Sequence, residues 1–199
     1  MCRSDGYRHV EKDRISERVA SRSEFGVVGC AFQRENRNLH FDMSEELKQQ
    51  IRRYLHDHNT MTLATCSGDV PWAATVFYAS DDLSLYFFSA PESRHCQNLA
   101  ANARVAVTVQ EDYKDWRQIK GIQLEGRVKL VDSVLEKAKA MAVYGLKYPD
   151  VIKLFTDPAS GVFYKAFLKV KFYRVTPEKV FFIDNAQGFG KRRELMLPE

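Results

Sequence analysis

Several features that would narrow the function at once are scarce or missing in this sequence. The 199 residues include only four cysteines, and no two of them form a C-x-x-C pair. Because no apolar secretory segment precedes them, we expect free thiols in a cytoplasmic protein and neither a disulfide framework nor a zinc site. The apolar runs are far too short to span a membrane, so we expect a soluble protein.

Charge of one sign is not concentrated anywhere in the chain. The net charge is only +4, and neither acidic nor basic residues form a block. This balance does not call for a nucleic-acid partner and is equally compatible with a small anionic ligand.

The familiar sets of catalytic and metal-binding residues are absent as well. No Ser-His-Asp set or carboxylate pair is evident, and His56 and His58 lack a third ligand at a usable spacing. We therefore predict no metal site. Cys96 follows a predicted helix start and has two interpretations, a reactive thiol or a small buried side chain, of which we favour the second.

The first 42 residues differ in character from the rest. Residues 1–42 carry scattered charges and little aliphatic periodicity. Such a segment buries little apolar surface, so we expect a disordered extension. One hypothesis is that the native chain starts at Met43, which the mass of the natural protein would test. Residues 43–199 are predicted to form one domain.

The remainder of the chain is rich in β patterns. A helix starting near Ser44 comes first, with apolar residues recurring on one face. Alternation and turn residues predict strands over 60–66, 71–79, 83–89, 105–109, 122–130, 163–176 and 179–184, with a tight turn at Ser67-Gly68-Asp69. Of these, 83–89 is predicted as the hairpin partner of 71–79, and Pro177 is predicted to interrupt the last strand. Further helices are predicted over 91–101, over 133–147, where Ser133 and Glu136 form a capping box, and over 149–155. A basic tail follows over 185–199.

This order of elements favours an antiparallel barrel. There are no internal repeats and no regular β-α-β alternation. The lack of this alternation argues against a doubly wound nucleotide-binding fold.

The stretch from Ser89 to His95 is the most informative candidate site. A strand ends there, and a helix predicted to open at Pro91 would hold Ser93, Arg94 and His95 in its first turn. Free backbone N–H groups, the positive end of the helix dipole and a guanidinium together suit a phosphate. An ordinary solvated helix start has the same residue types, so the local pattern leaves both interpretations open.

The order of several short motifs resembles the FMN-binding half of the pyridoxamine 5′-phosphate oxidase-like split-barrel superfamily. The matching stretches are Gly68-Asp69-Val70-Pro71, Ala74-Thr75-Val76-Phe77-Tyr78, Phe88-Ser89, Ser93-Arg94-His95, Asn102-Ala103-Arg104-Val105 and, further on, Gln123–Val128 and Phe182–Gly190. The resemblance implies a mainly β fold with peripheral helices, a six- to seven-stranded antiparallel split β-barrel. It also implies a homodimer with FMN at its interface.

The resemblance also assigns roles to individual residues. The strand over 74–78 would run beneath the isoalloxazine ring, with backbone groups of Thr75 and Val76 at its polar edge. His95 stands where the family usually has lysine, so its phosphate contact would be weaker and pH-dependent. The basic tail Gly188–Arg193 has two interpretations, a cover in which Phe189 lies over the flavin of the neighbouring subunit, or a frayed charged terminus. The implied cofactor-binding residues are Ala74, Thr75, Val76, Phe77, Tyr78, Ser89, Ser93, Arg94, His95 and Phe189.

We therefore predict an FMN-dependent oxidoreductase acting on an unidentified small molecule, with the flavin performing hydride and electron transfer. The C-terminal arginine-rich signature with which the true oxidase grips pyridoxamine phosphate is missing, so that activity is not expected. Two alternatives stay open: a non-catalytic flavin or haem carrier, and a split barrel that uses a deazaflavin.

Overall fold

The computed structural model describes residues 43–198. The predicted disordered extension over 1–42 lies outside the described residues, and a native start at Met43 stays a prediction. Helix α1 covers residues 43–57. The other helices are α2 (Arg94–Ala101), α3 (Val134–Lys147), α4 (Pro149–Thr156) and α5 (Val162–Phe167). The strands are β1 (Thr60–Ser67), β2 (Val70–Phe77), β3 (Ala79–Asp81), β4 (Ser84–Ser89), β5 (Arg104–Gln110), β6 (Lys120–Leu130), β7 (Lys171–Asp184) and β8 (Arg192–Leu195).

All eight strands belong to one antiparallel sheet. Its order is β2-β1-β5-β6-β7-β4-β3, with β8 paired to β7. The two ends of this path, β2 and β3, are joined only through Tyr78, so the sheet must curl back on itself although its ends are not hydrogen-bonded to each other within the described residues. The predicted fold class, a mainly β split barrel with peripheral helices, is confirmed.

Two apolar cores hold the fold together. The larger fills the barrel beneath α1 and includes Ile51, Leu63 and Phe87, all fully buried. The smaller lies between the outer faces of β4 and β7 and the helices α3–α5, with Tyr86 and Tyr144 at its centre. Strand β4 is therefore covered on both faces by its own chain.

A two-residue turn sets the register of the first hairpin. Gly68 and Asp69 have φ values of 57° and 61°, as a type I′ turn requires. This turn confirms the predicted one and aligns Thr60 with Phe77 at the far end of the hairpin.

Helix α2 does not open at Pro91, as the sequence predicted. Ala90 accepts a hydrogen bond from the backbone N–H of Ser93 at 3.0 Å, which closes a turn with Pro91 at its second position, where the fixed φ of proline fits best. Ser93 is then the N-cap, with extended backbone, and the helix begins at Arg94.

The strand predicted over 163–176 is wrong in its first half. Residues Val162–Phe167 form α5, and β7 starts only at Lys171. Phe167 stacks on Phe155 of α4 at 5.2 Å and meets Phe88 edge-on at 6.0 Å. The apolar spacing of these residues fits a short amphipathic helix as well as a strand, and this aromatic packing favours the helix.

Pro177 does not interrupt β7, which continues to Asp184. It lies opposite Gly126, where the pairing of β6 and β7 shifts register. A β-bulge accommodates a residue without an N–H. A Cβ on Gly126 would collide with the carbonyl oxygen of Thr176, so the close approach at this bulge requires glycine.

The predicted hairpin between 71–79 and 83–89 is also wrong. β2 pairs with β1, whereas β4 pairs with β3 and β7. Of the predicted strand only its last residue, Ala79, pairs with β4, as part of β3. The tail adds the short strand β8, which the sequence did not predict. None of the helices over residues 43–198 has the length and apolar character of a membrane span. The cytoplasmic location stays a prediction.

Candidate functional site

Strand β2 is the most exposed apolar strand of the barrel. It is hydrogen-bonded to β1 on one side and ends the sheet on the other. Val70, Trp72 and Phe77 are 52%, 39% and 58% exposed, whereas Ala74 and Val76 are half-buried. An exposed edge of this kind is unusual unless a ligand or a partner covers it.

The pairing of β2 with β1 decides which backbone groups are free. Tyr78 donates its backbone N–H to Asn59 at 3.1 Å, and pairs alternate in an antiparallel ladder. Val76 therefore directs its backbone to Met61, while Thr75 directs its own outward. The outward carbonyl of Phe77 accepts a hydrogen bond from the hydroxyl of Tyr144 at 2.7 Å. Of the two backbones expected at the ring's polar edge, that of Thr75 faces away from β1 and that of Val76 faces it.

Tyr78, the last residue of the predicted ring-binding strand, belongs to the core. Its side chain is fully buried and donates its hydroxyl to the carbonyl of Leu55 at 2.8 Å. The ammonium of Lys147 lies 4.3 Å from its ring centroid. Tyr78 therefore supports the end of β2 and does not present its side chain to a ligand.

The start of α2 has free donors. Ser93, the N-cap, makes no side-chain capping hydrogen bond, and no acidic residue lies in the first turn. The first backbone N–H groups of the helix are thus without a side-chain acceptor, and the positive end of the helix dipole is uncompensated. Both features suit an anion.

Three polar side chains meet beside this helix start. The Nε2 atom of His95 lies 2.8 Å from the hydroxyl of Ser89 and 3.2 Å from that of Ser93, and the two hydroxyls are 3.2 Å apart. His95 is only 9% exposed. The structure thus brings together the predicted residues at the end of β4 and the start of α2 in one hydroxyl–imidazole cluster.

Cys96 borders the same cluster. It is 3% exposed and belongs to the barrel core, as the favoured interpretation of the sequence predicted. Burial by itself raises the pKa of its thiol, but hydrogen bonds with the side chains of His95, Ser93, Tyr173 and Ser89 lower it more, to about 7. A buried thiol is here also a titratable neighbour of the helix start.

Arg94 is held by an aromatic ring and not by a carboxylate. Its guanidinium carbon lies 4.3 Å from the ring centroid of Trp72, and its side chain is exposed. Within residues 43–198 it has no ion pair or side-chain hydrogen bond. Its N–H groups are therefore available to an oxyanion, next to the uncapped start of α2.

Comparison with known proteins identifies the family. The sequence model described as pyridoxamine 5′-phosphate oxidase matches residues 47–184. The chain belongs to the pyridoxamine 5′-phosphate oxidase family. The resemblance predicted from the short motifs is thereby confirmed.

One relative of this family member is the UPF0306 protein plu4501 of Photorhabdus laumondii. It is 30% identical over 146 residues, which cover 72% of this chain and 92% of that protein. Two solved structures share the fold. HutZ, the haem storage protein of Vibrio cholerae, is 20% identical with a TM-score of 0.52, over 65% of this chain and 89% of that one. An FAD-binding protein of Mesorhizobium loti is 22% identical with a TM-score of 0.50, over 64% and 87%.

Phe189 is placed away from the hydroxyl–imidazole cluster in this oxidase-family chain. It is 75% exposed and meets Trp116 edge-on at 5.0 Å. The amide of Asn185 donates to the carbonyl of Trp116 at 2.8 Å, and the carbonyl oxygen of the same amide accepts from the backbone N–H of Gly190 at 3.2 Å. The tail is thus fixed on the loop before β6, and a role for Phe189 over a flavin requires a second subunit.

The histidines at the end of α1, His56 and His58, make structural hydrogen bonds. His58 bonds the carbonyl of Tyr54 and the carboxylate of Glu111, each at 2.7 Å, and His56 bonds Asp57 at 3.0 Å. In the described part of this oxidase-family chain, no three His, Cys, Asp or Glu side chains group as metal ligands. Trp72 is the contributor to the site that the sequence did not predict, because its partner Arg94 is distant in sequence.

Proposed function

We propose that the protein binds FMN at the interface of a homodimer and acts as an oxidoreductase on a small molecule. The observation that carries this proposal is the start of α2, where an uncapped helix end, the cluster of Ser89, Ser93 and His95, and the unpaired Arg94 converge. Such a set of donors fits a phosphate monoester.

The residues also fit the rest of FMN. β2 leads away from Trp72 with an apolar surface and an outward backbone at Thr75, which suit the face and the polar edge of a flavin ring. A bound flavin would supply hydride and electron transfer, while this chain's residues bind it, orient it and exclude water from one side. Because the flavin would carry out the electron transfer, the chain needs no catalytic side chain of its own.

The homodimer rests on the same strand. Val70, Trp72 and Phe77 leave β2 apolar and exposed in the single chain, and an exposed apolar edge strand favours association. A two-fold arrangement would place a second subunit over each flavin and complete the pocket. The exposed Phe189 would then have a ligand to cover.

Haem is the second candidate. It is favoured by the likeness to HutZ, a haem storage protein, and by an apolar strand next to a cation, which also suits a porphyrin with its propionates. The spectrum of the purified protein separates the two. A yellow protein that releases FMN on denaturation supports the flavin, and a Soret band supports haem.

An Arg94→Ala variant tests the phosphate site. Because the Arg94 side chain is exposed, the variant should keep its fold and lose FMN affinity by about tenfold to a hundredfold, as expected for a charge-assisted contact of roughly 1.5–3 kcal/mol. Arg104→Ala, an exposed arginine at the start of β5, is the matched control. Retained FMN affinity in Arg94→Ala would refute the site.

Turnover needs a separate measurement. Bleaching of the flavin by NADH or NADPH, followed by reoxidation with an acceptor, would support an oxidoreductase. A flavin that stays oxidised with every donor would instead support a carrier.

A further inference from the structure

We propose that Trp72 is a positioning residue for the guanidinium of Arg94, an inference that rests on the proposed FMN site. The guanidinium lies over the indole at 4.3 Å, and Trp72 is 39% exposed. Within residues 43–198 this ring is what orients the Arg94 side chain.

The geometry of stacking explains why a ring is suited to this task. A guanidinium is planar, and its N–H donors point outward in that plane. An aromatic ring occupies one face of the plane and uses none of these donors. A carboxylate would occupy the donors themselves, so Trp72 orders the side chain and leaves it free for a phosphate.

A chain of hydrogen bonds ties Trp72 to the helix that carries Arg94. The amide of Asn98 donates to the hydroxyl of Thr65 at 3.1 Å, and that hydroxyl donates to the carbonyl of Trp72 at 3.4 Å. Asn98 is buried and lies four residues after Arg94, on the same face of α2. These hydrogen bonds fix α2 relative to β2, so the stacking of Trp72 on Arg94 is supported by the backbone as well as by the contact itself.

The test compares FMN with riboflavin, which lacks the phosphate. We expect Trp72→Leu to lower FMN affinity about two- to fivefold, the range of an exposed cation–π contact, and to leave riboflavin affinity unchanged. Trp72→Phe keeps a ring and should retain most of the FMN preference. Fluorescence titration of both ligands, with circular dichroism to check folding, gives these values.

A double-mutant cycle with Arg94→Ala sharpens the test. If Trp72 acts through Arg94, adding Trp72→Leu to Arg94→Ala should cost no further FMN affinity. If Trp72→Leu fails to fold, Trp72→Phe and Trp72→Tyr replace it. The ratio of FMN to riboflavin affinity is then expected to be highest in the wild type, which has tryptophan.

The possible results separate this inference from the function beneath it. Equal losses of FMN and riboflavin in Trp72→Leu, or additive losses in the double variant, would overturn the positioning role and leave the FMN site intact. Wild-type protein that binds riboflavin and FMN equally would overturn both.

Discussion

Strands β2 and β4 are both apolar on both faces, but their surroundings are opposite. In β4, Leu85 and Phe87 lie in the barrel core, while Tyr86 lies in the second core under α3–α5, and all three are at most 1% exposed. In β2, Phe77 is 58% exposed and Trp72 39%. The same pattern is thus covered in one strand and uncovered in the other.

The difference indicates which strand is available to bind another molecule. The second face of β4 is covered by the segment that follows β6, so its apolar side chains need no other molecule. Nothing in residues 43–198 covers β2 in the same way. Because uncovered apolar strands favour association, β2 is the natural place for the proposed cofactor and second subunit.

The largest expected effect is a contrast between Phe87 and Phe77. Phe87→Ala should lower the free energy of unfolding by about 3–5 kcal/mol, because it empties a packed site where the ring stacks on Tyr173 at 5.1 Å. Phe77→Ala should change it by less than about 0.5 kcal/mol in the monomer while weakening the proposed dimer. Urea unfolding and analytical ultracentrifugation measure the two quantities. Similar losses of stability in both variants would break the comparison.

A smaller effect on the free energy of unfolding is expected at Lys147, which packs on Tyr78 at the end of β2. Its ammonium donates to the carbonyls of Leu55 and His58 at 3.1 and 2.5 Å. Burial lowers its pKa to about 8, although Asp57 partly opposes this. Between pH 8 and about 10 the unfolded chain holds a proton that the folded chain has released. The free energy of unfolding should therefore rise with pH, by about 1 kcal/mol for this half-exposed group.

Lys147→Met isolates that contribution. The Cys96 thiol, with its pKa lowered to about 7, adds a rise of the same sign at lower pH, so the difference between wild type and Lys147→Met is the informative quantity. Urea midpoints at pH 7.5, 8.5 and 9.5 suffice. An identical slope in both proteins would show that the lysine is not the cause.

The smallest effect is expected beside the end of β4, where Cys96 borders the cluster at the helix start. FMN affinity should increase a few-fold from pH 8 to pH 6.5, because the Cys96 thiol, whose pKa is lowered to about 7, loses its negative charge over this range. Cys96→Ala should flatten the profile. A pH-dependence that survives this change would show that the thiol is not its cause.

Local signals in the sequence predicted much of the fold. The predicted capping box of α3 is present, with Ser133 accepting from the backbone N–H of Glu136 at 3.2 Å, and the turn at Gly68-Asp69 is formed as predicted. The failure at Val162–Phe167 has a different origin. Its apolar spacing fits strand and helix alike, and contacts with Phe155 and Phe88 from distant segments decided it.

The candidate site divides in the same way. Ser89, Ser93, Arg94 and His95 lie within seven residues, so a strand end followed by a helix start was enough to bring them together. The outward backbone of Thr75 depends on which strand pairs with β2. The Trp72–Arg94 contact depends on the packing of α2 against β1 and β2, which no local pattern records.

By itself, the sequence determined which residues are apolar, where the Gly68-Asp69 turn and the cap of α3 fall, and that a candidate anion-binding set of side chains lies between a strand and a helix. These properties are set by neighbours in the chain. Only the tertiary structure decided that β4 is covered and β2 is not, and that an indole stacks on the guanidinium. Burial and stacking are contacts between segments far apart in sequence, so they exist only once the chain has folded.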